Sequence, residues 1–426
     1  MIRGLLNNNL QIVKESGLYF LGKLIPGLLI FLSIPLLIRF YGESIYGEYS
    51  LVISAILLIN TLLTGWINQS FMRFYTMKEE PEKFEYAMFR LLLLCNLFVI
   101  IAGDLVLLML HFDIILVLIF NIVLLTLSVF SFRLSAGQTK FMVRKAVLAD
   151  TLRVVVFLSS LILGYFIFKL KSADSALIML LLANILAYFA GAIILRVKRR
   201  SPHTVKSIFR ARFQHKAEIR EIIKYGLPIG FWLIAANLLN LSDRYIIKYF
   251  MDFKSVGEYT AIYDTFSRLM TFTFGPILLA LQPRVIKLFN EGDRNKSMRI
   301  IRNVVLIEIV VFLFALFPVY LLKGFIVEKF IGLSNPEVES LVIPIFIGAF
   351  LWTISVLIQK PLELRKKTIS MMFAVLAALV INVSGNILFI PKYGLPVAAY
   401  TTIIGSIVYL LVILIIQTNA RKNPGQ

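Results

Sequence analysis

The sequence predicts an all-α protein that crosses a membrane twelve times, and three observations support this prediction. The chain has 426 residues, of which 59% are hydrophobic and only 16% charged, whereas soluble domains are about 25% charged. Apolar runs of about 20 residues, the length that one spanning helix requires, recur along the whole chain. Lysine and arginine are concentrated in alternate segments between these runs. We therefore expect a polytopic membrane protein rather than several soluble domains.

The predicted spans follow one another with short polar connections. An α-helix rises about 1.5 Å per residue, so about 20 apolar residues cross the hydrocarbon core. The twelve runs are 17–38, 50–72, 88–110, 114–132, 146–168, 175–195, 225–247, 259–282, 303–322, 338–359, 371–390 and 397–416. Because their number is even, both termini are expected on the same side of the membrane.

The distribution of basic residues predicts which side that is. With the N-terminus in the cytoplasm, the inner segments hold 32 of the 44 Lys and Arg residues and the outer segments hold 8. This asymmetry agrees with the positive-inside rule, so we expect a protein of the cell membrane with both termini cytoplasmic. The net charge of +20 then reflects topology and contact with membrane lipids. No nucleic acid is expected as a partner.

A basic segment divides the chain into two halves of six predicted spans each. Residues 196–224 hold ten Lys and Arg residues, with apolar residues spaced three to four apart among them. This pattern is typical of an interfacial helix on an anionic leaflet, although a solvated connector fits equally well. We predict an N-terminal lobe of residues 1–195, the connector 196–224 and a C-terminal lobe of residues 225–426.

The two halves contain an internal repeat with an offset of about 210 residues. Residues 47–50, Gly-Glu-Tyr-Ser, match residues 257–260, Gly-Glu-Tyr-Thr, and Gly65 in the second span matches Gly275 in the eighth. The first string lies outside the apolar runs, where chance identity is less common. Six spans separate the copies, so both have the same orientation. We predict two lobes related by a pseudo-two-fold axis along the membrane normal, as in parallel-repeat transporters.

Both repeats begin with a span that contains helix-breaking residues. Gly22 and Pro26 lie in the first span, and Gly226 and Pro228 lie in the seventh. Gly- or Pro-interrupted spans at matching positions of two halves are a pointer to a transporter's substrate site. The alternative is a simple proline kink, since proline is common in membrane helices. We expect these four residues to act in gating.

Three further strings resemble hallmarks of a known family. Residues 40–51 read Phe-Tyr-Gly-Glu-Ser-Ile-Tyr-Gly-Glu-Tyr-Ser-Leu, residues 242–247 read Ser-Asp-Arg-Tyr-Ile-Ile, and residues 386–399 begin Asn-Ile-Leu-Phe-Ile-Pro-Lys-Tyr-Gly. Their order along twelve spans resembles the O-antigen and polysaccharide flippases of the multidrug/oligosaccharidyl-lipid/polysaccharide exporter superfamily. Pro396 departs from the family pattern, and we expect it to change only the start of the last span.

The resemblance implies a function as well as a fold. Family members have two six-helix lobes around a cavity that opens alternately to either side, and they move undecaprenyl-diphosphate-linked oligosaccharides to the outer leaflet. We therefore expect a flippase of O-antigen, capsular or exopolysaccharide biosynthesis, with a glycan polymerase and chain-length proteins as partners. Two alternatives are a cation-coupled small-molecule exporter of the same superfamily and a membrane glycan polymerase or ligase.

Basic and amide side chains within the spans are the candidates for binding substrate. Ionisable groups in a membrane cost about 2.5 to 3.5 kcal/mol each, so they mark functional sites. A lipid diphosphate requires positive charge in transit, which Lys23, Arg244 and Arg268 are able to supply. Asn237 and Asn240, near the breakers of the seventh span, are candidates for binding sugar hydroxyls. Snorkelling of Lys23 and interfacial anchoring of Arg244 are the structural alternatives.

Acidic side chains within the spans are the candidates for ion coupling. A carboxylate in a low dielectric can cycle between protonated and ionised forms, or hold a cation. Coupling to a proton or sodium gradient is therefore expected, and the sequence does not choose among the candidate carriers. Asp264 and Arg268 are also spaced to pair on one helix face. The candidate carriers are Asp104, Asp243, Asp264 and Glu308.

Signals of an enzyme are absent from the sequence. The three histidines, His111, His203 and His215, do not form a cluster with metal-ligand spacing, and Cys95 is the only cysteine. No Gly-x-x-x-x-Gly-Lys-Ser/Thr string that would bind a nucleotide occurs. No predicted outer segment exceeds about 15 residues, which argues against a polymerase or ligase. We predict a transporter with no catalytic residue, no metal centre and no cofactor.

Overall fold

The computed structural model describes residues 24–109, 113–140, 142–168, 173–195, 216–365 and 367–422. Twelve long helices and a few short helical turns account for nearly all of these residues, and no strand occurs among them. The all-α prediction is therefore confirmed. His111, His203 and His215, the breaker Gly22 and the candidate cation Lys23 lie outside the described residues.

The long helices are numbered α1 to α12 in chain order. The six of the first repeat are α1 (Leu24–Tyr41), α2 (Glu43–Phe74), α3 (Pro81–Met109), α4 (Ile114–Thr139), α5 (Val143–Phe168) and α6 (Ala173–Ile194). The six of the second repeat are α7 (Lys216–Phe250), α8 (Phe253–Asn290), α9 (Arg294–Gly324), α10 (Pro336–Ile358), α11 (Thr368–Tyr393) and α12 (Pro396–Lys422).

Each helix overlaps one of the twelve predicted spans, and several extend beyond it. Eleven helical segments of the described chain are long and apolar enough to cross a membrane. The remaining span, 259–282, lies within α8, which carries Glu258, Asp264 and Arg268 in its first half. Residues 216–224 of the predicted connector belong to α7, while 196–215 lie outside the described residues. The protein is therefore a multi-pass membrane protein.

Helix boundaries follow local sequence signals. Asp113, Asp293 and Asn335 precede α4, α9 and α10, and each side chain accepts a hydrogen bond from a backbone N–H of the first turn. Gly394, with a φ of +72°, ends α11, and α12 begins at Pro396. Proline suits this first position because it has no backbone N–H to leave unpaired.

The described chain forms two compact units. Unit 1 comprises the described residues of 24–30 and 52–234, and unit 2 comprises those of 31–51 and 235–422. Helices α1, α2 and α7 therefore contribute residues to both units. In unit 1, Phe71, Phe84 and Phe132 form the centre of an aromatic core. Most of the candidate site residues that the structure describes belong to unit 2.

The beginnings of α2 and α8 pack together within unit 2. These segments are the two copies of the Gly-Glu-Tyr-hydroxyl string, and their corresponding residues contact each other. The hydroxyl oxygens of Ser50 and Thr260 lie 3.5 Å apart, and both residues are buried. Contact between equivalent positions is what a local two-fold axis between these helices produces.

Candidate functional site

A buried polar cluster surrounds Asp243, near the end of α7. Its carboxylate is 1% exposed and accepts three hydrogen bonds from three other helices. The Tyr259 hydroxyl on α8 donates at 2.6 Å, the Asn386 amide on α11 at 2.7 Å and the Thr402 hydroxyl on α12 at 3.0 Å. A carboxylate removed from water requires such donors, because burial without them costs several kcal/mol. Four helices of unit 2 therefore converge on one acidic group.

The same cluster contains an amide with unused hydrogen-bonding capacity. Asn382 lies one turn before Asn386 on α11, and its Nδ2 is buried with no hydrogen-bond partner in the described structure. Its Oδ1 accepts a hydrogen bond from the Asn386 Nδ2 at 3.4 Å. Thr401 donates to the Asn386 oxygen at 2.5 Å. Carboxylate, amide and hydroxyl oxygens are thus concentrated at one point, which is the ligand chemistry that hard cations prefer.

A second charged cluster joins α7 and α8 within the same unit. Arg244 Nη2 lies 2.6 Å from Asp264 Oδ1, and Arg268 Nη2 lies 3.9 Å from Asp264 Oδ2. Arg244 is 5% exposed, whereas the Arg268 side chain is 35% exposed. One carboxylate therefore faces two guanidinium groups, and the cluster carries a net positive charge. Arg244 and Arg268 are two of the predicted substrate-binding residues, and their binding of substrate stays a prediction.

Four other candidate residues have contacts outside these two clusters. Asn240 accepts a hydrogen bond from the Tyr263 hydroxyl at 2.7 Å, while Asn237 is half-buried one turn earlier on α7. Asp104 accepts from the Asn121 amide at 2.7 Å in unit 1. Glu308 on α9 is buried, and its Oε2 has no hydrogen-bond partner among the described residues. None of these four lies in either cluster.

The described helix breakers permit close packing. Pro228 lies inside α7, and the neighbouring Gly226 contacts α2, where an added Cβ would come within 2.8 Å of the Trp66 carbonyl oxygen. Pro26 is buried in the first turns of α1. These positions give the three residues a role in helix packing. Their role in gating stays a prediction.

Sequence reasoning missed most of the partners of Asp243. Tyr259, Asn382, Asn386, Thr401 and Thr402 were not predicted site residues. The sequence did contain one indication of this cluster. Asp243 and Asn386 each lie in a string that carries the family resemblance, and Tyr259 lies in the repeat. The structure brings these separate strings together in space.

Comparison with solved structures identifies similar folds. The lipid II flippase MurJ in an inward closed conformation matches with a TM-score of 0.70 and 16% identity, over 94% of this chain and 87% of that one. An inward-facing multidrug resistance transporter of the MATE family matches at 0.65 and 14%, over 96% of each chain. The MATE transporter VcmN from Vibrio cholerae matches at 0.64 and 13%, over 97% of each. The fold is therefore similar to that of the flippase MurJ and of the MATE transporters.

The family follows from the sequence profile that matches the chain. The profile of polysaccharide biosynthesis proteins covers residues 12–289, which is more than half of the chain. This protein belongs to that family. No curated protein sequence matches it.

Proposed function

We propose that the protein translocates undecaprenyl-diphosphate-linked oligosaccharide repeat units from the cytoplasmic to the outer leaflet by alternating access. The observation that carries this proposal is the cluster of Arg244, Asp264 and Arg268, which places excess positive charge inside the membrane-spanning region. A diphosphate is a dianion that guanidinium groups bind bidentately. Membership of the polysaccharide biosynthesis family and a fold similar to that of a lipid II flippase support the same substrate class.

The two guanidinium groups have different roles in this proposal. Arg244 is buried against Asp264 at 2.6 Å and holds that carboxylate. Arg268 is partly exposed, lies 3.9 Å from the same carboxylate, and has a buried Nε with no hydrogen-bond partner in the described structure. Arg268 is therefore the guanidinium that is able to release the Asp264 carboxylate and bind a phosphate of the substrate instead. Lys23, Asn237 and Asn240 are proposed to contact substrate as well.

Deletion of the gene tests the proposed substrate class. Loss of a flippase leaves single lipid-linked repeat units on the cytoplasmic face, where an added outer-leaflet glycosidase does not reach them. Complementation with the wild-type gene restores surface glycan, and complementation with Arg268→Gln does not. An intact glycan in the deletion strain would favour a small-molecule exporter, which the fold similarity to MATE transporters also permits. Accumulation of repeat units on the outer face would indicate a polymerase or ligase.

We also propose that Asp243 carries the coupling ion, and that this ion is sodium rather than a proton. The support is the concentration of carboxylate, amide and hydroxyl oxygen atoms from Asp243, Asn382, Asn386, Thr401 and Thr402. A proton requires only one carboxylate, whereas Na⁺ requires several oxygen ligands. Asp104, Asp264 and Glu308 lack a comparable set of oxygens among their described contacts, and they remain alternative carriers.

Radiolabelled sodium binding to purified protein tests this second proposal. Wild-type protein and Glu308→Gln are expected to bind one Na⁺ per chain, and Asp243→Asn is expected to bind none. Glu308→Gln is the matched control because it also neutralises a buried carboxylate of unit 2. Sodium binding by Asp243→Asn, or transport that follows the pH gradient at constant sodium, would contradict the proposal.

The remaining expectations concern orientation and partners. We propose a location in the cell membrane with both termini cytoplasmic, and action beside a glycan polymerase and chain-length proteins. Reporter fusions at both ends test the orientation, because an alkaline phosphatase fusion is inactive and a fluorescent protein fusion is bright on the cytoplasmic side. Glycosyltransferase genes adjacent to this gene would identify the pathway.

A further inference from the structure

A cavity of about 480 Å³ opens on unit 2 where the first turns of α9 meet the last turns of α10 and α12. All three ends are predicted to be cytoplasmic from the Lys and Arg distribution. The cavity contains no residue of the Asp243 cluster or of the Arg244–Asp264–Arg268 cluster. It is therefore a separate feature of the protein, and the proposed substrate pathway does not account for it.

One wall of the cavity is strongly basic. Arg299 and Arg302 are three residues apart on α9, both are exposed, and both line the cavity. In the described part of the chain, neither guanidinium has a hydrogen bond or an ion pair, and none of the described lining residues is a carboxylate. The nearby Glu363 is paired with Lys360 at 2.7 Å. The cavity thus presents two uncompensated positive charges.

The apolar wall of the cavity is formed by α9, α10 and α12. Val305, Ile358 and Leu414 line the cavity, and the neighbouring side chains of Leu306 on α9 and Leu411 on α12 are exposed. Polar contacts join the end of α10 to α12 at this cavity. Gln417 donates its amide to the Ile358 carbonyl at 2.5 Å, and the buried Tyr409 hydroxyl bonds to Gln359. A basic wall beside an apolar wall at the membrane surface matches the two chemical parts of a lipid.

We infer that this cavity binds an anionic phospholipid of the cytoplasmic leaflet. The lipid phosphate lies between Arg299 and Arg302, and an acyl chain packs along Val305 and Leu414. Anionic lipids are concentrated in the cytoplasmic leaflet, and each basic residue at that surface attracts them. A resident phospholipid fits better than the transported glycolipid, because the charged cluster proposed for the diphosphate lies on α7 and α8. The inference depends on the predicted orientation and not on the identity of the substrate.

Native mass spectrometry of the full-length protein tests the inference. Wild-type protein is titrated with phosphatidylglycerol and, separately, with phosphatidylcholine. We expect phosphatidylglycerol to bind at least about tenfold more tightly, and Arg299→Gln/Arg302→Gln to remove this preference. Arg294→Gln is the matched control, because Arg294 starts the same helix but packs over Phe289 outside the cavity. Equal affinity for both lipids in the wild type, or a preference retained by the double variant, would overturn the inference.

A second variant separates lipid binding from a general charge effect. Leu414→Trp fills the apolar wall without changing charge, and it is expected to weaken phosphatidylglycerol binding while leaving both arginines in place. Inorganic phosphate is expected not to compete at millimolar concentration; effective competition would show that the acyl chain contributes nothing. Displacement by undecaprenyl diphosphate at concentrations where phosphatidylglycerol does not compete would assign the cavity to the substrate instead. Thermal melting of each variant checks that the fold is retained.

Discussion

Gly47 and Gly257, which occupy the same position in the two copies of the repeat, are packed against each other's helix. A Cβ on Gly47 would lie 2.8 Å from the backbone nitrogen of Gly257, and a Cβ on Gly257 would lie 3.1 Å from that of Gly47. Each Cβ would also lie 1.9 Å from a carbonyl oxygen of the other helix, that of Phe253 or Glu43, which is closer than a side-chain carbon approaches, so only glycine permits α2 and α8 to cross here. The two copies of the repeat are therefore in direct contact at these two glycines.

Replacing either glycine is expected to destabilise the protein. An alanine at Gly47 overlaps the Phe253 carbonyl oxygen, and such overpacking costs about 1–3 kcal/mol. The melting temperature of purified Gly47→Ala should therefore fall, whereas Gly103→Ala on α3, where an added Cβ meets no atom within 4 Å, should melt like the wild type.

The double variant sharpens this prediction. Gly47→Ala and Gly257→Ala disturb one crossing, so the second substitution should cost less than the first, and the two effects should not add. Additive effects, or a Gly47→Ala variant as stable as Gly103→Ala, would show that the glycines are not in mutual contact.

Arg268→Gln is expected to weaken binding of lipid diphosphate while leaving the protein folded. A charge-assisted hydrogen bond contributes about 1.5–3 kcal/mol, which corresponds to a decrease in affinity of about 10- to 100-fold. Arg268 is a better test than Arg244, because removing Arg244 strips the close partner from Asp264 and endangers folding. Fluorescence-monitored titration with a lipid diphosphate gives the affinities.

The control for this measurement is a second intramembrane ion pair. Arg153 pairs with Asp150 at 2.8 Å on α5, one cation to one anion, so it supplies no excess charge. The variant Asp150→Asn/Arg153→Gln should bind lipid diphosphate like the wild type. Equal affinity in Arg268→Gln and wild type would eliminate Arg268 as a phosphate ligand.

Thr402→Val is expected to weaken sodium binding by about tenfold. Valine keeps the shape of threonine but removes the hydroxyl that lies 3.0 Å from Asp243 Oδ2. Without that hydroxyl, the buried carboxylate has one fewer hydrogen-bond partner. Leaving a buried hydrogen bond unmade costs about 1–3 kcal/mol. Radiolabelled sodium binding measures the change, and Thr126→Val, whose hydroxyl bonds only within α4, should have no effect. Unchanged sodium affinity in Thr402→Val would remove that hydroxyl from the site.

Asp252, between α7 and α8, is expected to make the stability of the protein depend on pH. Its carboxylate accepts the Ser255 backbone N–H at 2.7 Å, and this hydrogen bond lowers the pKa of Asp252 below its ordinary value of 3.8. The stabilisation is therefore fully present above the ordinary value and is lost as pH falls through the lowered one. Asp252→Ala should melt earlier than the wild type at pH 7, by the equivalent of about 1 kcal/mol for a helix cap.

The comparison of melting curves across pH provides the check on Asp252. The difference between wild type and Asp252→Ala should shrink only below about pH 4, because the carboxylate is ionised above its ordinary pKa. A difference that disappears near neutral pH would mean that another titrating group is responsible.

The sequence was sufficient to predict the helices but not the Asp243 cluster. Apolar runs and basic connections depend on local composition, so the twelve spans and the repeat were predicted from the sequence alone. The contacts of Asp243 with Asn386 and Thr402 join residues 143 and 159 positions apart. No periodicity encodes such pairings, because they depend on how α7, α11 and α12 pack. Arg268 and Asp264 were predictable as partners because they share one helix, whereas the contact of Asp264 with Arg244 links α7 to α8.

The most direct test of the central claim is translocation by purified protein in liposomes. Vesicles contain a short undecaprenyl-diphosphate-linked oligosaccharide in the inner leaflet, and a lectin outside detects the molecules that reach the outer leaflet. We expect wild-type protein to increase lectin binding under a sodium gradient and Arg268→Gln to give less than about 10% of that rate. No transfer of the glycolipid by wild-type protein, combined with sodium-driven export of small organic cations, would contradict the account.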